Sequence, residues 1–201
     1  MADSADDFDV FVPVPATERI TVDEYRRRAA RGELSGSKIF ELLEGVVVPK
    51  ARQTLKHETA LENIQEVIGK MAPGGWHLRV QQPLACGTSQ PEPDAAMVRD
   101  ALDQYEDRPP EPNDVALVVE VADASLTLDR RLKGRIYARA GIILYWLLNL
   151  VDNQLEVFSN ASGPVPMPGF QERRIYRVED KLSLVVGLGD LGQIKVRDLL
   201  P

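Results

Sequence analysis

The chain has 201 residues, 44 % hydrophobic and 27 % charged, with a net charge of −7. These values suit a globular domain with a sizeable core, and weigh against a surface given over wholesale to nucleic acid while leaving room for a local basic patch. One cysteine, Cys86, excludes an intramolecular disulfide and fits a reducing compartment. The N-terminus, MADSADDFDV, is acidic where a signal peptide would be basic and then apolar. The longest uncharged apolar run, residues 141–151, is too short for a membrane helix. The expectation is a soluble cytoplasmic protein without a membrane segment.

In chain order, residues 1–16, rich in Asp and Pro, read as a flexible arm, and 17–201 as one domain. Thr21 with Glu24 forms a capping box, predicting a helix that stops near Gly32. KIFELLEGVVVPK predicts two short strands turning at Glu44-Gly45. Apolar residues at 60, 61, 64, 67, 68 and 71 give a helix over 55–72, ended by Pro73-Gly74-Gly75. WHLRVQQPLAC and DAAMVR read as strands, and the polar stretch before Val115 as a connection. VALVVEVA, residues 115–122, is the most apolar strand and is expected at the centre of a sheet. Residues 126–141 predict a helix closed by Gly141. ILYWLLNL and QLEVFSN form a hairpin about Asp152-Asn153, a last strand lies near RIYRVED, and the rest reads as a tail ending in IKVRDLLP. The fold class is α/β or α+β, with a mixed sheet flanked by helices.

Three motifs fail on context. His57-Glu58-Thr59-Ala60-Leu61 starts like a zinc-protease helix, but Leu61 stands where the second histidine belongs. Gly187-Leu188-Gly189-Asp190-Leu191-Gly192 spells a dinucleotide fingerprint too close to the end for the helix and strand it needs. The sequon at Asn160 has no meaning without secretion.

What survives is a constellation of acids. Asp94 follows Pro93 at the entrance to an apolar strand, and Glu120 is the lone acid inside VVEVA. Burying either unpaired is costly, so each needs a partner. Asp129, Lys133 and Tyr137 share a helix face at i, i+4 and i+8. Two acids and a lysine suit a hard cation such as Mg²⁺ or Mn²⁺ and phosphodiester hydrolysis. A core ion pair for Glu120 and an ordinary helix pair for Asp129–Lys133 are the plainer readings of each residue alone. Arg130, Arg131 and Arg135 make the same helix a basic island that could track phosphates, or a solvated face.

The order KIFELLEGVVVPK, His57, SQPEPDAAMVR, DVALVVEVADASLTLDRRLKGRIYARAGI and YWLLNLVDNQLEVF resembles the Uma family of bacterial putative restriction endonucleases, placed in the PD-(D/E)xK nuclease superfamily. The resemblance implies a restriction-endonuclease-like fold and a metal-dependent DNA endonuclease, with RNA not excluded. It makes Asp94 and Glu120 metal ligands. The superfamily's usual lysine position is Ala122 here, a departure, and Lys133 is the implied replacement. Glu41 and His57 match a recurrent acid and histidine. A nuclease-fold protein that binds DNA or protein without cutting is the alternative, and Ala122 and the net charge favour it. A homodimer is expected, since two-fold symmetry serves double-strand cleavage.

Overall fold

A computed structural model describes residues 19–34, 39–100, 104–186 and 189–201, so the expected arm over 1–16 lies outside the described residues. Helix α1 (Val22–Ala30) begins where Thr21 Oγ1 accepts the Glu24 N–H at 3.2 Å. Its arginines are answered locally: Arg27 and Arg28 bond Glu24, and Arg26 bonds Gln90. β1 (Phe40–Leu43) and β2 (Val46–Pro49) form an antiparallel hairpin. Its two-residue turn puts Glu44 at φ 49° and Gly45 at φ 83°, the left-handed pair such hairpins demand. A Cβ at Gly45 would also meet Arg19 Cβ at 3.0 Å.

Helix α2 (Leu55–Lys70) is capped by Thr54, whose side chain accepts the His57 N–H. β3 (Trp76–Val80) is shorter than the strand expected through Cys86, because Gln81 turns out at φ 50°. β4 (Ala95–Arg99), a short helix α3 (Gln104–Asp107) and β5 (Val115–Ala122) follow. A π-helical stretch, Leu128–Lys133, then runs into α4 (Gly134–Ala140), closed by Gly141 at φ 85°. The helix expected over 126–141 is therefore not uniform: the Gly134 N–H reaches back five residues to the Asp129 carbonyl. β6 (Leu144–Asn149) and β7 (Gln154–Ala161) make the predicted hairpin, and β8 (Phe170–Arg177) borders it. The expected tail is in fact another hairpin, β9 (Lys181–Val186) with β10 (Gly189–Lys195). KLSLVV alternates exposed and buried residues along β9, a strand signal the tail reading passed over.

β3-β4-β5-β6-β7-β8 form one six-stranded sheet in that order, mixed because β5 and β6 run parallel while every other pair is antiparallel. A parallel pair needs a crossover, and the π stretch with α4 supplies it. Alternation divides β5 between two cores. Leu117, Val119 and Val121 join Ile64 and Ile68 of α2 and Leu182 and Leu184 of β9. Val118 and Ala122 join Leu132, Ile136 and Tyr137. Each such aliphatic side chain contributes roughly 1.5–3 kcal/mol on burial. With both faces covered, all eight β5 residues are buried. Glu120 shares the parity of Val118 and Ala122, so the fold aims a carboxylate into the core under the crossover helix. No helix among the described residues is long and apolar enough to cross a membrane.

Candidate active site

Asp94 and Glu120 meet through sheet register. Ala95 pairs with Val119, and one more residue along that register sets Asp94 opposite Glu120. Asp94 stands just before β4, not as its first residue. The reason is local: its Oδ2, in place of a backbone carbonyl, accepts the Val121 N–H at 2.9 Å, which ends the ladder. His57, in the first turn of α2, holds the same oxygen through Nε2 at 3.1 Å. Among the described residues, Asp94 Oδ1 has only a long ion pair, 3.9 Å to Lys50 Nζ.

From the crossover side, Lys133 Nζ lies 3.0 Å from Glu120 Oε1, 3.1 Å from Glu41 Oε2 and 3.7 Å from Asp129 Oδ1. Tyr137 donates its hydroxyl to Glu120 Oε1 at 2.6 Å. Glu120 Oε2 takes no hydrogen bond from the described residues. Glu41 Oε2 also accepts the Glu92 N–H, and Ser125 donates to Asp129 Oδ2. The π turn presents Asp129 and Lys133 side by side, and Tyr145 braces it by donating at 3.1 Å to the Asp129 carbonyl, which also accepts the Gly134 N–H. Ala122 is fully buried in the core, and the ammonium beside Glu120 comes from Lys133 on the crossover helix.

Three buried carboxylates thus surround one buried lysine, with the buried Asp94 a fourth acid nearby. Burial drives the Glu120 carboxyl up to about 8, and Asp129, Asp94 and Glu41 push the same way against Lys133. Burial likewise raises Asp129. For Asp94 the desolvation is outweighed by the His57 hydrogen bond and the charges of His57, Lys50 and Lys133, which hold it below the usual carboxylate range. Burial of Lys133 is outweighed by its ring of acids, so it stays charged. The site holds more carboxyl groups than its one buried lysine can neutralise.

The structure brings Asp94, Glu120, Lys133, Glu41 and His57 to one cleft, lined also by Lys50, Arg52 and Thr54. It gives the helix arginines other partners. Arg130 forks onto Glu156 at 2.5 and 3.1 Å, and Arg135 bonds Glu44 at 2.8 Å, so both are engaged by buried acids. Arg131 is exposed. Sequence reasoning missed Lys50, at the end of β2, whose Nζ donates to the Glu92 carbonyl at 2.7 Å. It also missed Thr54, which caps α2 and bonds Asp123. The capping pattern was there to find; nothing local marked Lys50.

A family model described as "Uma2: Putative restriction endonuclease" matches residues 22–194. The chain belongs to the Uma2 family. A solved structure described as a "putative nuclease belonging to DUF820", from Anabaena variabilis ATCC 29413, is similar at a TM-score of 0.65 and 16 % identity, over 90 % of this chain and 97 % of that one. At that identity the likeness speaks for the fold, which is restriction-endonuclease-like. No curated protein matches the chain. Membership in Uma2, a family described as putative restriction endonucleases, supports a nuclease.

Proposed function

We propose that this chain is a Mg²⁺- or Mn²⁺-dependent endonuclease that hydrolyses phosphodiester bonds of DNA at the cleft between Asp94 and Glu120. One observation carries the reading. Each carboxylate commits one oxygen to protein donors, Asp94 Oδ2 to Val121 and His57 and Glu120 Oε1 to Lys133 and Tyr137, while its other oxygen accepts no hydrogen bond from the described residues. The described residues hold no group of three or more His, Cys, Asp or Glu arranged as a metal cage. Mg²⁺ needs none: it is usually held by one or two carboxylates, several waters and substrate phosphate. Asp94 and Glu120 would be its protein ligands, and when bound it would acidify water and offset phosphate charge.

The chain's own residues do the rest. Lys133 and Tyr137 fix the Glu120 carboxylate, and His57 and the Val121 amide fix that of Asp94. A cleft water attacks phosphorus and a new P–O bond forms as the opposite P–O bond breaks. The water's proton goes to solvent, and the departing oxygen is protonated in turn.

The test is plasmid cleavage with Mg²⁺ or Mn²⁺ by the wild type, Asp94→Ala and Glu120→Ala. Each variant should lose at least about a hundredfold in rate while keeping the fold, the scale of removing one electrostatic stabiliser. Calorimetry with Mg²⁺ in buffers of different ionisation enthalpy should show proton release at neutral pH, because the ion displaces the proton on Glu120. Cation-dependent cleavage retained in both variants would remove the proposal. Cation binding without cleavage would favour the non-cutting reading.

A further inference from the structure

Lys133 is badly placed to meet a substrate. Its side chain is 3 % exposed and its ammonium is engaged by Glu120, Glu41 and Asp129. Glu120 and Glu41 lie within hydrogen-bond distance of it at 3.0 and 3.1 Å, and Asp129 adds a third negative charge at 3.7 Å, so the buried ammonium is already balanced by acids. If a phosphate enters this cleft, its counter-charge must come from elsewhere.

Lys50 has the opposite character. It lines the same cleft as Asp94 and Glu120, and its side chain is 13 % exposed. The Lys50 N–H bonds the Ile39 carbonyl at 2.9 Å, continuing the β1–β2 hairpin, and Nζ donates to the Glu92 carbonyl at 2.7 Å. Its separation from Asp94 Oδ1, 3.9 Å, is too long for a hydrogen bond. One donor is therefore spent on a neutral carbonyl, leaving donors beside the uncommitted oxygen of Asp94. Arg52 lines the cleft too, but its side chain is exposed. Lys50 is held at both ends, so it can offer charge without first being ordered.

We propose that Lys50, and not Lys133, is the cation that contacts the substrate phosphate, while Lys133 holds the acids in place. This rests on reading the cleft as a DNA-cleaving site. The two lysines then divide a task usually given to one: Lys133 is a positioning residue and Lys50 touches the substrate.

The experiment measures the affinity of the full chain for a short mixed-sequence DNA duplex, at fixed Ca²⁺, as NaCl is varied. Wild type, Lys50→Gln, Lys50→Arg and Lys133→Met are compared, with thermal unfolding recorded for each. Lys50→Gln removes the charge while keeping an N–H donor, on a side chain one atom shorter, near the Glu92 carbonyl. Losing one phosphate contact on duplex DNA lowers the salt slope by about 0.9. The expected result for Lys50→Gln is that drop, with affinity reduced about tenfold and unfolding unchanged; Lys50→Arg restores most of both. Lys133→Met should lower the unfolding temperature and leave the slope of its folded fraction alone. A wild-type slope and affinity in Lys50→Gln would overturn the proposal and leave Lys50 a tether for the Glu92 carbonyl. A wild type that binds no duplex would instead overturn the DNA reading beneath it.

Discussion

Two buried glutamates sit in one row across the sheet. Glu120 on β5 is in register with Leu147 on β6, and Leu147 with Glu156 on β7. Both are essentially inaccessible to solvent. Their surroundings are opposite. Glu156 is enclosed by donors: Arg130, Arg173, Asn149 and Gln154 all bond it. Burial would raise its carboxyl, but the Arg130 and Asn149 hydrogen bonds and the arginine charges outweigh this and hold it low. Glu120 shares a single lysine with other acids, and burial carries it up to about 8. Burial of an acid is therefore not the mark of a site. An acid whose nearest charges are mostly of its own sign is better evidence, because that arrangement persists only when something else supplies positive charge.

The comparison breaks most sharply on activity. Glu120→Gln should lose cleavage as Glu120→Ala does, whereas Glu156→Gln should cut within a few-fold of wild type on the same plasmid. Loss of cleavage in a folded Glu156→Gln would mean the two acids form one functional unit. On stability the order reverses. Glu156→Gln should cost about 1–3 kcal/mol through its lost charge-assisted bonds, softened because its arginines are partly exposed and can be solvated. Lys133→Met should cost more, about 3–5 kcal/mol, since it strands Glu41, Glu120 and Asp129 without their cation. Chemical denaturation with chelator present measures both.

The pH dependence sharpens the same contrast, because the two shifts have opposite signs. Glu120 is raised from an ordinary value of 4.5 to about 8. Between those values the folded protein keeps a proton that the unfolded chain has released. Its contribution to stability is complete below the ordinary value and is lost as pH rises through about 8. Glu156 is lowered, so its contribution is present above the ordinary value and is lost as pH falls through the lowered one. In chelator, Glu120→Gln should therefore gain on wild type as pH climbs from about 5 to 8, while the deficit of Glu156→Gln should shrink toward acid. Parallel curves for the two variants would erase the distinction. Adding Mg²⁺ should restore wild-type stability at the alkaline end and leave Glu120→Gln unmoved.

This contrast also marks where the sequence stopped being informative. Glu120 in VVEVA and Glu156 in QLEVF look alike, each an acid in an apolar strand. What separates them is partners 17 and 26 residues away for Glu156, brought up by β8 and the crossover helix. Local pattern has no access to that. Asp94 stood out because Pro93 announced the strand entrance, and the Asp129–Lys133–Tyr137 face was legible at helical spacing even though the helix widens into a π turn there. The sheet centre was legible in VALVVEVA because two covered faces demand an unbroken apolar run. Lys50 was not, because its role exists only where the β1–β2 hairpin reaches the loop before β4. The β9–β10 hairpin was obscured by glycines that spelled a different motif.

The smallest effect tests the His57 side of the cleft. Thr54 Oγ1 accepts the His57 N–H at 3.2 Å and donates to Asp123 at 3.1 Å. Thr54→Ala removes an N-cap and should cost about 1 kcal/mol. His57 would still lie in the first turn of α2, and Asp94 Oδ2 would still accept the Val121 amide, so the acid keeps one of its two anchors. Cleavage should then fall only a few-fold. His57→Ala should fall somewhat further, since it removes the other anchor directly and leaves Asp94 freer to swing away from Glu120. If Thr54→Ala costs as much activity as His57→Ala, the helix start itself orients the acid. If neither matters, the register between β4 and β5 is sufficient to hold Asp94, and His57 is there for packing.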